Sequence, residues 1–213
     1  MGHKKLWEIG GFVAGGILVV FGAVAILLGV NGYTTVRDSL KQENIVGTPD
    51  MTPSAIKSEG QQAKLPSTVN YPTCSVAGQA IDTGAEARCF AQYMRIHALE
   101  ATGGLTYAEM GRYQSAAKPT DPAGTSDTTK AAKDSNGQPV SNGARDVWIQ
   151  ENALATALNV SYMAERLAVF GMVVGVALLL TGIGFLILAL AVFGRSEAAV
   201  KEAVTPAPTP VTS

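Results

Sequence analysis

Two stretches of this 213-residue chain carry no charge, and they decide what the rest of it can be. Residues 9–30 read IGGFVAGGILVVFGAVAILLGV and residues 168–193 read AVFGMVVGVALLLTGIGFLILALAVF, runs of 22 and 26 residues. A hydrocarbon layer of about 30 Å is crossed by about 20 helical residues at about 1.5 Å each, so both runs can span it and the second has length for tilt. Inside a bilayer the backbone finds no water to bond, so each run must be helical. The alternative is a buried helix of a large soluble protein, but the remaining apolar residues are too few to cover two of them. The first run exceeds the usual apolar core of a secretory signal, about 7–15 residues. No A-x-A cleavage pattern follows it in VNGYTT, so it reads as an uncleaved signal-anchor.

Lys4 and Lys5 precede the first run, and Arg195 and Lys201 follow the second. The positive-inside rule then places residues 1–8 and 194–213 in the cytoplasm and residues 31–167 outside, in a multi-pass protein of the plasma membrane. A net charge of −1 gives no argument for binding nucleic acid.

Within the outside segment, Tyr33, Val36 and Leu40 continue the first helix over residues 31–46, and Pro49 and Pro53 end it. The polar residues 57–81 read as extended chain and turns. Thr83 and Glu86 have the spacing of a capping box, so a helix starts there. Phe90, Tyr93, Met94, His97 and Ala101 share one face of it, and Gly103 and Gly104 supply a left-handed end. A second capping box, Thr106 to Glu109, opens a short helix to about Tyr113, making a helix–Gly-Gly–helix unit over residues 83–113. Residues 118–145 are rich in Pro, Gly, Ser, Thr and Asp and predict a flexible linker. Asp146 then caps a helix over residues 146–167, with Ile149, Ala153, Thr156, Val160, Met163 and Leu167 as its apolar stripe, running into the second span. Residues 194–213 carry a fading helical signal and a Pro/Thr-rich, disordered end. The expected fold is an all-α membrane protein. Its two transmembrane helices form an antiparallel hairpin extended outside the bilayer, with a small disulfide-tied extracytoplasmic helical module.

Cys74 and Cys89 are the only cysteines, and both fall in the compartment that permits disulfides. Two free buried thiols are the alternative. In the spans Gly15, Gly22 and Gly29 recur every seven residues, as do Ala168, Gly175, Gly182 and Ala189. Such stripes let helix backbones approach closely, either between the two spans or onto another subunit.

Neither span contains an ionisable residue, which argues against a pump or transporter working alone. No G-x-S-x-G elbow, phosphate-binding glycine loop or H-E-x-x-H helix is present. Glu100 follows His97 by three residues, a spacing that puts both on one helix face. A lone histidine on an apolar face is more often packed than ligating, and Glu109 already has a capping role. No catalytic residue, metal ligand set or cofactor is expected.

LKQENI at residues 40–45, HALEATGGLTYAEM at residues 97–110 and DVWIQENALATALNVSYMAERLAVF entering the second span together resemble a family of small two-span membrane proteins of actinobacteria. Members of that family often carry the label of an aromatic ring-opening dioxygenase, and its biochemical role is unknown. The resemblance implies the same two-span architecture. A dioxygenase site with two histidines and one carboxylate needs both imidazoles on one iron. This chain has only His3 and His97, on opposite faces of the membrane in the topology above.

The functional expectation is a non-enzymatic accessory or structural membrane protein in contact with the lipid bilayer. It would pack against a larger envelope or energy-transducing complex, or against further copies of itself. A ligand-binding or sensing module is the competing expectation. Its pocket would lie near His97, Glu100 and Tyr107, with Gly103, Gly104 and Glu109 completing the surface.

Overall fold

The computed structural model describes the backbone of residues 2–204 and the side chains of residues 9–191. The side chains of His3, Lys4, Lys5, Arg195 and Lys201, and the Pro/Thr-rich end from residue 205, lie outside what is so described. Among the described residues there are four α-helices, α1 (Gly2–Gln42), α2 (Pro53–Gln62), α3 (Gly84–Ala101) and α4 (Gly143–Val204), with a 3₁₀ turn at Tyr107–Glu109. Among the described residues there is no strand, only isolated bridges. Two compact units divide the chain, one of Met1–Gly32 with Leu167–Ser213 and the other of Tyr33–Arg166.

The first unit is built from the two uncharged runs. Its helices are long and apolar enough to cross a membrane, and only 17% of the most apolar window of each is buried. The glycine stripes are where the helices meet. A Cβ added at Gly22 would lie 2.7 Å from the Gly175 carbonyl oxygen and 2.6 Å from the Leu179 nitrogen, and one at Gly15 would lie 2.9 Å from the Gly182 oxygen. Gly29 faces Ala168 and Met172 in the same way, and a Cβ added at Gly11 would lie 3.6 Å from the Ala189 methyl. Rising numbers in one helix therefore meet falling numbers in the other. Off the stripe the side chains are bare: Phe21, Leu27, Phe170 and Leu180 are each more than 60% exposed.

The second unit has a core of the kind water-soluble proteins have. Tyr93, Ile56, Ile81, Ile96, Val76 and Trp148 are almost fully buried, together with Leu40, Met51, Phe90, Leu99 and Leu158. The polar ends of the two large buried aromatics are satisfied: the Tyr93 hydroxyl donates to the Cys74 carbonyl at 2.6 Å and the Trp148 indole to the Leu105 carbonyl at 2.7 Å. Cys74 and Cys89 form a disulfide, with their Cα atoms 6.1 Å apart. That bond pins the extended segment before α3 to α3 itself.

Helix α3 starts at its capping box as expected, with Thr83 accepting from the Glu86 amide and Glu86 accepting from Asp82 and Thr83. Gly103 and Gly104 have φ of +63° and +82°, the left-handed ending that glycine adopts without steric cost. The second box is also formed, but it opens only the 3₁₀ turn rather than a helix to Tyr113. Residues 57–62 were expected as the start of an extended stretch and instead belong to α2, which begins at Pro53. Thr52 caps it by accepting from the Ala55 amide, and Pro53 sits at its first position, where the missing N–H costs nothing.

Two corrections concern the region before and within α4. Residues 118–145, expected as a flexible linker, are tied down by backbone hydrogen bonds. Tyr113 and Thr125 exchange a pair at 2.9 and 2.8 Å, Gln114 bonds Val140 and accepts from Ala132, and Ala116 bonds Lys130. Asp134 accepts from the amides of Asn136 and Gln138 around Gly137. The composition offers little to bury, but it is rich in turn formers, and backbone bonding rather than apolar burial orders it. The helix then begins at Gly143, not Asp146. Asn142 is the cap, accepting from the Ala144 amide while its own amide donates to Gly111 and Pro122.

The apolar stripe read for residues 146–167 faces outward. Ile149, Val160, Met163 and Leu167 are 53–69% exposed. The buried row is Trp148, Glu151, Leu158 and, partly, Leu154 and Ala155, one position round the helix. Glu165 continues that row as a receptor for α3, accepting from the Gly84 amide at 2.8 Å, with Arg37 3.9 Å away. A Cβ at Gly84 would stand 2.7 Å from the Tyr162 Cα, so only glycine lets the start of α3 come this close to α4.

Candidate functional site

His97 lies about one turn before the end of α3, on the flank of the buried face rather than in it. Its side chain is 31% exposed. Each ring nitrogen meets a carboxylate. Nε2 is 3.1 Å from Asp50 Oδ2, and Nδ1 is 3.4 Å from Glu100 Oε2. A third carboxylate joins from α2: one donor atom each from Asp50, Glu59 and His97 lie within 4.8 Å of one another.

Local structure explains the convergence. Asp50 sits in the turn where Thr52 bonds back to the Asp50 carbonyl, and the next residue, Met51, is buried and accepts from Val76 and from the Ser75 hydroxyl. The carboxylate is thus held by an anchored neighbour. Glu59 is placed by Ile56 and Gly60, both buried on the inner face of α2. At Gly60 the Tyr71 ring presses so close that a Cβ would stand 2.8 Å from its Cε1. His97 and Glu100 are one helical turn apart on α3.

The electrostatics are those of crowded acids. Burial pushes the Glu59 carboxyl above its ordinary range, the negative charges of Asp50 and Glu100 push it further, and His97 opposes them. Burial and then Asp50 raise the Tyr93 hydroxyl in the same way. Glu100 Oε1 is shielded from solvent and has no hydrogen-bond partner among the described residues.

Of the residues singled out from sequence, His97 and Glu100 are brought together as their spacing implied. Tyr107 is engaged elsewhere, its ring carrying the Arg145 guanidinium at 3.9 Å. Glu109 accepts from the amide and hydroxyl of Thr106, and those bonds lower its carboxyl. A cleft of about 590 Å³ opens beside Gly104 and Glu109, lined also by Pro66, Tyr71, Gln92 and Arg95, and His97 and Tyr107 are not among its walls. Asp50 and Glu59 were missed by sequence reasoning. They lie 47 and 38 residues before His97, and no local pattern ties them to it.

Comparison with known proteins finds no matching family model, no similar curated protein and no similar solved structure.

Proposed function

We propose that this chain is a non-enzymatic accessory protein of the plasma membrane that holds a helix of a larger envelope or energy-transducing complex. The observation that carries this reading is the exposed stripe on α4. Ile149, Ala153, Thr156, Val160 and Met163 alternate steps of four and three residues, the seam pattern by which one helix packs on another, and every one of them is exposed. In the first unit the glycine stripes are consumed by contact between the two apolar helices, while their outward faces remain apolar, as contact with lipid or a partner span requires. On this reading the two helices cross the bilayer as an antiparallel hairpin. Both termini are cytoplasmic and the second unit is extracytoplasmic, where its disulfide is stable. The resemblance to the actinobacterial two-span family belongs to the same proposal.

The test is affinity isolation of the full chain from native membranes in mild detergent with quantitative mass spectrometry. A stoichiometric membrane partner is expected, and Met163→Arg should release it while leaving the Cys74–Cys89 bond and the helix content unchanged. Recovery of the chain alone would sink the reading. Recovery with further copies of itself only would make the seam a homo-oligomer contact.

A second reading, an extracytoplasmic ligand-binding or sensing module, is favoured by the three carboxylates gathered on His97. A sensor built there responds to ligand or pH through His97. A scaffold only loses stability when His97 is replaced.

A further inference from the structure

We propose that Asp50, Glu59 and His97 form a binding site for one divalent transition-metal ion of the zinc class, with Glu100 as the residue that orients the histidine. The proposal rests on the ligand-binding reading of the His97 region and names its ligand.

The argument begins with the imidazole. A metal-bound histidine presents one neutral ring nitrogen to the ion and, in most sites, donates the other N–H to a carboxylate that fixes its tautomer. Here Nδ1 points at Glu100 and Nε2 points toward Asp50, so a proton held on Nδ1 leaves the Nε2 lone pair aimed at the acids. Spacing agrees. Two donors each bound at about 2.0–2.2 Å to one zinc stand roughly 3–3.5 Å apart. The Asp50–His97 pair, at 3.1 Å, already has that separation. Glu59 lies within 4.8 Å of the other two donors and has to close by up to roughly 1–2 Å, a movement a flexible glutamate on the flank of α2 makes by rotamer adjustment.

Charge points the same way. Three carboxylates face one imidazole, and even a protonated histidine would leave the group net negative. A divalent ion bound to Asp50 and Glu59 offsets two of those charges and relieves the repulsion that burdens Glu59. The donors come from three separate pieces of chain, the turn before α2, α2 and α3, which the buried Met51, Ile56 and Ile96 lock to one core. The mixed nitrogen and oxygen set suits zinc or manganese; calcium and magnesium prefer oxygen alone.

The experiment uses the full chain in detergent, stripped with chelator, and isothermal titration with Zn²⁺, Mn²⁺ and Ca²⁺ salts in turn, with bound metal counted by mass spectrometry. One Zn²⁺ or Mn²⁺ per chain is expected, with Ca²⁺ bound at least tenfold more weakly. Glu59→Gln and His97→Ala should each abolish stoichiometric binding. Glu100→Gln should weaken it about 10–100-fold without changing the stoichiometry, the loss typical of a carboxylate behind a ligating histidine. Asp127→Asn, in the 118–145 segment, is the control and should change nothing. An intact Cys74–Cys89 bond and unchanged helix content certify that each variant folds. Absence of stoichiometric binding, or binding indifferent to both Glu59→Gln and His97→Ala, overturns the proposal. If no metal binds but His97 still shifts the thermal midpoint between pH 5 and 8, the metal falls while the sensing reading stands. If His97 moves neither, both fall.

Discussion

The two units of this protein join their helices by opposite means. In the first, side chains are removed: glycine meets glycine along α1 and α4, and almost no apolar side chain is buried there. In the second, side chains are supplied: Trp148, Tyr93 and Ile56 fill a core, and the Trp148 indole and Tyr93 hydroxyl each have a carbonyl acceptor. On the membrane-spanning reading proposed above, the difference follows from the surroundings of each unit. Where the medium is as apolar as the side chains, burying them gains little and close backbone contact is what remains to hold helices together. Water makes burial the dominant force, and bulk in the core is then an advantage.

That contrast is most open to test at Trp148. Replacing a fully buried large aromatic with alanine costs about 3–5 kcal/mol, and here Thr102 and Leu105 also lose the indole partner. Trp148→Ala should therefore unfold the second unit well below the wild-type midpoint in a thermal melt followed by near-UV circular dichroism. An effect under about 1 kcal/mol would mean that this unit is not held by its core. Next in size is the disulfide. A cross-link closing a loop of 15 residues is worth roughly 3 kcal/mol in the chain-entropy model. Reduction, or Cys74→Ser with Cys89→Ser, should lower the denaturation midpoint by that order and leave the first unit untouched.

For the first unit the corresponding change is addition of bulk. Gly22→Leu drives a side chain into the backbone of Gly175 and Leu179, whereas nothing stands within 4 Å of a Cβ at Gly16. Overpacking of this kind costs about 1–3 kcal/mol. The readout is a second disulfide between Gly11→Cys and Ala189→Cys, whose Cβ positions are 3.6 Å apart. It should form in the parent and in Gly16→Leu, and its yield should fall several-fold in Gly22→Leu. Equal yields in both leucine variants would refute the glycine contact.

How much of this was legible in the sequence depended on the distance over which each signal acts. The start and end of α3 could be read because Thr83, Glu86, Gly103 and Gly104 act within a turn of themselves. The cap of α2 was equally local, in Thr52–Pro53, but a short polar helix has no apolar period to announce it. On α4 the regular stripe at Ile149 and Met163 was legible as a pattern yet not as a direction. The inward row mixes Trp148 and Leu158 with Glu151 and Glu165, whose burial depends on partners far along the chain. His97 and Glu100 could be paired by spacing. Asp50 and Glu59 reach them only through tertiary packing, so the candidate site was half visible.

The smallest expected effect concerns that misleading row. Glu151 is 4% exposed, and its Oε2 has no hydrogen-bond partner among the described residues. Burial raises its carboxyl above the ordinary range, with the Arg95 charge opposing. A carboxyl raised in the folded state binds its proton more tightly there than when unfolded, so its contribution is most favourable in acid. Stability then declines as pH climbs from about the ordinary glutamate value through the raised folded one, and the full penalty stands above it. Glu151→Gln keeps the shape and removes the charge. At pH 7 it should raise the thermal midpoint by a few degrees, the shift that about 1 kcal/mol produces in a chain of this size. The gain should shrink toward zero as pH falls to about 4. A gain that is the same at both pH values would mean that packing, not charge, distinguishes the two side chains. A loss at pH 7 would mean that the attraction of the exposed Arg95 outweighs the burial, and the Glu151 charge would then stabilise the second unit.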